Sequence, residues 1–249
     1  PTMMYLSQEG RAAPLSSPTA RPGSSRSAPS PPQVKFCGTA SLADLRCAVA
    51  AECDAVGFIM GVIHRSSDVV TPAEAARMIR QLPPFIEPVA VTHLQETQAL
   101  IDLVRESHCT TLQVQNDIDP SDLEVIRQAL PCVKIVKAVH VMDRSSIATA
   151  RRYEPYADAI LLDTRTEERI GGTGIPHDWN ISAEIVANST VPVILAGGLT
   201  PENVRDAIQK VRPYAVDVHT GVKKDGARNL EKTLAFARAA RTATGKTAV

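Results

Sequence analysis

Val191-Pro192-Val193-Ile194-Leu195-Ala196-Gly197-Gly198-Leu199-Thr200-Pro201-Glu202 holds an apolar run of strand length, a paired-glycine turn and a helix start in direct succession. The run Val191–Ala196 is rich in β-branched residues and bounded by glycine, the pattern of a buried strand. Thr200-Pro201-Glu202 supplies a capping hydroxyl, a proline suited to the first turn and an early acid. A strand that feeds a helix through so short a loop is one βα unit of a parallel sheet.

The unit recurs on both sides. Strand patterns fall at Val34–Cys37, Ala55–Met60, Pro88–Thr92, Thr111–Gln115, Val133–Val139, Ala159–Asp163 and Ala215–Val218. Helix starts follow several of them: Ser41 with Asp44, Thr71-Pro72 with Glu74, and Asp119-Pro120 with Asp122. Eight strands with seven helices between them, and a closing helix at Leu230–Arg241, predict a single-domain (β/α)8 TIM barrel over residues 33–245. The competing architecture, an open doubly wound sheet, calls for a glycine-rich turn after the first strand. Gly38 stands there alone before Thr39 and Ala40.

Residues 1–32 read differently. They are crowded with Ser, Pro, Ala and Arg, have one acid (Glu9), and show neither helical nor strand period, which predicts a disordered tail. Arg11, Arg21 and Arg26 among serines also fit an organellar transit peptide, but the proline density opposes an amphipathic helix, and we favour a disordered extension.

Composition narrows the function. The chain has 249 residues, 27 basic and 27 acidic, so no net field draws it to nucleic acid or to an anionic membrane. No apolar run approaches the roughly 20 residues that span a bilayer. The five cysteines lack metal-type spacing and sit in apolar segments, as reduced thiols of a cytoplasmic protein do. A monomer or homodimer is expected.

Alternation along the strands points polar side chains inward. Lys35 and Cys37, Gln113 and Gln115, Asp163 beyond Leu161, and Asp217 and His219 all lie opposite apolar neighbours. Lys35 and Asp217, deeper in their strands, fit an internal ion pair as well as a chemical role. Cys37, Asp163 and His219 stand at strand ends, where barrel enzymes place their chemistry, although a cysteine there is by itself more often a small buried apolar residue. Three glycine-bearing turns, Gly171-Gly172-Thr173-Gly174, Gly197-Gly198 and Thr220-Gly221, follow the sixth, seventh and eighth strands. Side-chain-free turns let backbone N–H groups approach an anion, and late barrel loops commonly cradle phosphate. Gly172, Thr173, Gly174, Gly197, Gly198, Thr220 and Gly221 are therefore candidate phosphate ligands, and the ligand is expected to be a phosphorylated small molecule.

With these residues the sequence resembles the phosphoribosylanthranilate isomerase family of tryptophan biosynthesis, from about Val34 to Arg241. The resemblance is carried by Lys35-Phe36-Cys37-Gly38, Asp54-Ala55-Val56-Gly57-Phe58, Leu161-Leu162-Asp163, Asp178-Trp179, the block Leu195–Val204, and Arg212–Val218. It implies an isomerase that performs an Amadori rearrangement without a cofactor, with Cys37 as general base and Asp163 as general acid. A carboxylic acid can protonate the ring oxygen of an aminofuranose, and a thiolate, with Lys35 lowering its pKa, can take the proton from the neighbouring sugar carbon.

The sequence departs from the family at the aromatic end of the substrate. The family's Lys-Ser-Pro-Arg loop reads Gly61–Pro72 here, with Asp68 at the usual arginine position and Arg65 in a different frame. His93, Gln115 and His219 also differ from the usual residues. Arg65, Asp68, His93, Gln113, Gln115 and His219 are the candidate substrate contacts. Arg65 would meet an aromatic carboxylate, whereas Asp68, with His93 and His219, would accept from an amine or amide. Two alternatives follow: a divergent isomerase of another phosphosugar amine, or an inactive phosphometabolite-binding barrel.

Overall fold

A period of two, apolar outward and mixed inward, becomes eight strands: β1 (Gln33–Phe36), β2 (Ala55–Met60), β3 (Glu87–Thr92), β4 (Thr111–Val114), β5 (Lys134–His140), β6 (Ala159–Asp163), β7 (Val193–Leu195) and β8 (Ala215–Val218). All neighbours are parallel, and β8 returns to pair with β1 from Gln33↔Ala215 to Phe36↔Val218, which closes the barrel. Closure rules out the open doubly wound sheet. The computed structural model describes residues 30–62, 67–166, 169–170 and 177–244, with backbone only at 165–166 and 169–170. Residues 1–29 of the expected tail lie outside the described residues, as do Arg65, Gly172, Thr173, Gly174 and position 245.

Helices follow the strands: α1 (Leu42–Ala50), α2 (Pro72–Ile79), α3 (Thr97–Ser107), α4 (Pro120–Ala129), α5 (Ser145–Tyr153), α6 (Trp179–Asn188), α7 (Val204–Val211) and α8 (Leu230–Arg241). Their starts obey the expected chemistry. Ser41 accepts from the Asp44 amide, Thr71 and Glu74 form a reciprocal capping box, and Asp119 accepts from the Ser121 amide. The helix expected right after Thr200 begins at Val204 instead. Asn203 explains the delay: its Nδ2 donates to the Gly198 carbonyl at 2.9 Å and its Oδ1 accepts from the Thr200 amide at 2.8 Å, so it closes the glycine turn. Strand β7 is also shorter than expected at its start, where Pro192 has no N–H for the ladder. Among the described residues, no helix is long and apolar enough to cross a membrane.

Two apolar layers result. Val34, Phe36, Val56, Phe58, Leu112, Ile160, Leu162, Leu195 and Val216 face the helices and are fully buried. Inside the barrel Val136, Ala138, Leu161, Ile194 and Ala215 pack together, and Cys37, Val89 and Val91 form a second inner group. The inner layer therefore leaves a polar set at the C-terminal rim, on rigid strands rather than on loops.

Candidate active site

The register of β1 against β8 sets Lys35 beside Asp217, and there Lys35 Nζ donates to Asp217 Oδ2 at 2.8 Å with both side chains almost wholly buried. The internal ion pair anticipated from the strand pattern is present. Two residues further on, just past the end of β1, Cys37 is 6% exposed. Burial raises its pKa and Lys35 lowers it, but Asp217 and Asp163 push the same way as burial and the thiol reaches about 11. Lys35 thus offsets part of the rise but not all of it, because burial is the larger effect and Asp217 beside it acts the other way.

Asp163 ends β6 and is equally buried. Desolvation raises its carboxyl to about 7, against the opposing effects of the Thr164 amide and Lys35. That value suits an acid that must hold a proton near neutral pH and surrender it during reaction. One of its oxygens, Oδ1, accepts from the Thr164 amide at 2.7 Å. Thr164 is itself held: its Oγ1 hydrogen-bonds His177 Nδ1 at 3.1 Å, and His177 Nε2 meets Ser182 Oγ on α6 at 2.6 Å. Burial lowers the His177 pKa to about 4, so the ring is a neutral hydrogen-bonding bridge.

The loops after β7 and β8 come together behind this acid. Gly197 (φ +79°) sits so close to Thr164 that a Cβ would lie 2.4 Å from its Oγ1 and 2.8 Å from its amide nitrogen. At Gly221 a Cβ would lie 2.0 Å from the Leu199 carbonyl oxygen. Both glycines are needed for close backbone approach, and that approach sets Gly197, Gly198, Thr220 and Gly221 on adjoining turns at the rim. Thr220 and Gly221 start a single 3-10 turn, Thr220–Val222.

The substrate-facing candidates divide. Gln113 and Gln115 point inward from β4 and its end, and both Gln113 amide atoms and Gln115 Oε1 are buried without a partner among the described residues. Such groups are costly unless a ligand or water satisfies them. His93 is buried after β3, and its carbonyl accepts from Asn116. Asp68 is held by partners in its own chain. Its Oδ2 meets His219 Nε2 at 2.7 Å and its Oδ1 is bound by Lys223 Nζ. Burial favours the neutral acid, but these two partners outweigh it and hold the carboxyl at about 2. His219 is correspondingly bound to Asp68, so the two tie the β2–α2 loop to the rim after β8.

Arg228, His177, Thr164 and Lys223 were not among the sequence candidates. Arg228 lies in a two-residue ribbon, Lys223–Lys224 paired with Ala227–Arg228, and its guanidinium is buried with Nη2 donating to the Cys37 carbonyl at 2.6 Å. Thr164 and His177 each adjoin a quoted motif, Leu161-Leu162-Asp163 and Asp178-Trp179, and Lys223 follows the glycine turn after the eighth strand.

A closed parallel barrel with a buried carboxylic acid, a buried thiol and adjoining glycine turns at its C-terminal rim has the layout of a barrel enzyme, with its polar groups at the strand ends. The description N-(5'phosphoribosyl)anthranilate (PRA) isomerase matches residues 34–239. The corresponding isomerase of Methanocella arvoryzae is 44% identical over 195 residues, covering 78% of this chain and 90% of its own. Phosphoribosyl anthranilate isomerase from Thermotoga maritima superposes with a TM-score of 0.75 at 32% identity, covering 84% of this chain and 98% of its own. A solved isomerase in complex with reduced 1-(o-carboxyphenylamino)-1-deoxyribulose 5-phosphate gives 0.72 at 29% identity, covering 84% and 98%. The chain belongs to the N-(5'-phosphoribosyl)anthranilate isomerase family.

Proposed function

We propose that this chain converts N-(5'-phosphoribosyl)anthranilate into 1-(o-carboxyphenylamino)-1-deoxyribulose 5-phosphate, with Asp163 as general acid and Cys37 as general base. The observation that carries the residue assignment is Asp163: buried at a strand end, held near neutrality by desolvation, and fixed through one oxygen by Thr164. The other oxygen delivers its proton to the ring oxygen, and the C1–O bond breaks to leave an iminium. Cys37 as thiolate then removes the proton from C2, which forms the enolamine. Loss of the C2 hydroxyl proton and protonation of C1 give the ketone. Every step is a proton transfer or a bond shift within one molecule, and each of the two residues supplies about 10²–10⁴-fold in rate.

The turns at Gly197, Gly198, Thr220 and Gly221, with Gly172, Thr173 and Gly174, hold the phosphate through backbone N–H groups. Gln113 and Gln115, whose buried amide atoms lack partners, bond the sugar hydroxyls. Arg65 meets the aromatic carboxylate. It lies three residues before Asp68 in the chain, and the Asp68–His219–Lys223 cluster anchors that loop end. A tryptophan-requiring strain that lacks its isomerase should grow without tryptophan when it expresses this chain, and should not when it expresses Asp163→Asn. Failure of the soluble wild-type protein to restore growth would favour another phosphosugar amine as substrate.

A further inference from the structure

The resting thiol poses a problem that the two acid–base residues do not solve. Cys37 must give up a proton, yet burial, Asp217 and Asp163 all oppose its ionisation. Lys35 favours the thiolate, and Asp217, 2.8 Å from its ammonium, works against it. A second cation reaches the thiol's own residue from the other side of the strand. The ribbon turns sharply at Asp225 and Gly226, both at positive φ, and brings Arg228 back against β1. There its guanidinium lies 5.7 Å from the centre of the Phe36 ring, and Nη2 holds the Cys37 carbonyl. Nε and Nη1 are buried without a partner among the described residues, and no carboxylate there lies within ion-pair distance of it. Asp44 on α1, hydrogen-bonded to Ser41 and the Ala40 amide, is the carboxylate that Arg228 feels, and its charge offsets part of the guanidinium's. Cys47 and Cys53 are the other titratable groups that face Arg228.

A buried guanidinium that keeps its charge without a directly paired carboxylate is costly, and it cannot relieve that cost by losing its proton. Its field is strengthened by the surroundings that exclude water. We propose that Arg228 is a positioning residue for proton abstraction: it pins the Cys37 carbonyl and places beside that residue a positive charge with no ion-pair partner among the described residues, which favours the thiolate. This rests on the reading of Cys37 as the base. The groups that set the Cys37 charge are then Lys35, Asp217 and Asp163 from inside the barrel and Arg228 from outside it.

Three variants separate charge from fixation. Arg228→Met removes both, Arg228→Gln keeps an amide donor for the carbonyl without the charge, and Arg228→Lys keeps the charge. The readouts are the pH dependence of kcat and the thiolate absorbance titration of Cys37, taken by difference against Cys37→Ser. Arg228→Met and Arg228→Gln should move the Cys37 titration up by about one pH unit and lower kcat at neutral pH about tenfold, with the loss recovered as pH rises. KM should stay near the wild-type value, and Arg228→Lys should keep the wild-type titration. An unchanged Cys37 titration in whichever neutral variant folds overturns the proposal, as does an equal loss of kcat in all three that raised pH does not recover. Full activity in Cys37→Ser would instead overturn the assignment of the base, while the titrations would still report whether Arg228 acts on the thiol.

Discussion

Asp163→Asn should make the protein more stable and nearly inactive at the same time. Burial raises the carboxyl from the ordinary 3.8 to about 7. A carboxyl whose folded value lies above its unfolded value costs stability once pH exceeds the unfolded value, and the cost is complete above the folded one. The difference of about 3 pH units, at about 1.36 kcal/mol each, corresponds to about 4 kcal/mol, and local relaxation and water reduce it to about 2–4 kcal/mol. Asparagine keeps an oxygen for the Thr164 amide and carries no charge to desolvate. In urea denaturation at pH 8 the variant should therefore exceed the wild type by that amount, with the gap narrowing toward pH 4. Turnover should fall by about 10²–10⁴-fold, since the proton donor is lost. A variant equal to or less stable than the wild type at pH 8, or a gap independent of pH, would refute the desolvation argument.

Other expectations follow from the same site. The wild-type kcat/KM should rise with pH up to about 7, as the thiolate fraction grows while Asp163 keeps its proton, and then level off as loss of that proton offsets the gain; a rise that continues unbroken to pH 9 would contradict its role as acid. Lys35→Met strands Asp217 in the barrel and should cost about 3–5 kcal/mol in urea denaturation, much of it regained in Lys35→Met with Asp217→Leu. Gly197→Ala forces a Cβ against Thr164 backbone at a positive φ. It should lose about 1–3 kcal/mol and weaken inhibition by inorganic phosphate, as read from melting curves and inhibition constants. Asp68 is depressed to about 2, so its contribution is present above the ordinary 3.8 and is lost as pH falls through about 2. Asp68→Asn should therefore cost about 2 kcal/mol at pH 7, and the cost should vanish in melts at the acid end.

The barrel was legible because strand alternation and capping chemistry are local. Ser41, Thr71 and Asp119 each announce a helix within three residues, and Lys35, Gln113, Asp163 and Asp217 betray the inner face by a period of two. Asn203 shows the limit: a Thr-Pro-acid pattern promised an immediate helix, but a side chain further on was needed to close the glycine turn. Asp68 was legible as an oddity and was grouped with His219, but its ion pair with Lys223, which lies 155 residues away, was not legible. Arg228 gave no signal at all. It lies in a two-residue ribbon with no periodicity, and its importance comes from meeting a carbonyl 191 residues earlier.

The measurement that bears most directly on the account is steady-state turnover of N-(5'-phosphoribosyl)anthranilate by the purified wild-type protein beside Cys37→Ser and Asp163→Asn. The account predicts conversion to the 1-deoxyribulose 5-phosphate product by the wild type, and a loss of about 10²-fold or more in kcat for each variant, with phosphate inhibition retained. No conversion by folded wild-type protein, or near-native turnover in either variant, would contradict it.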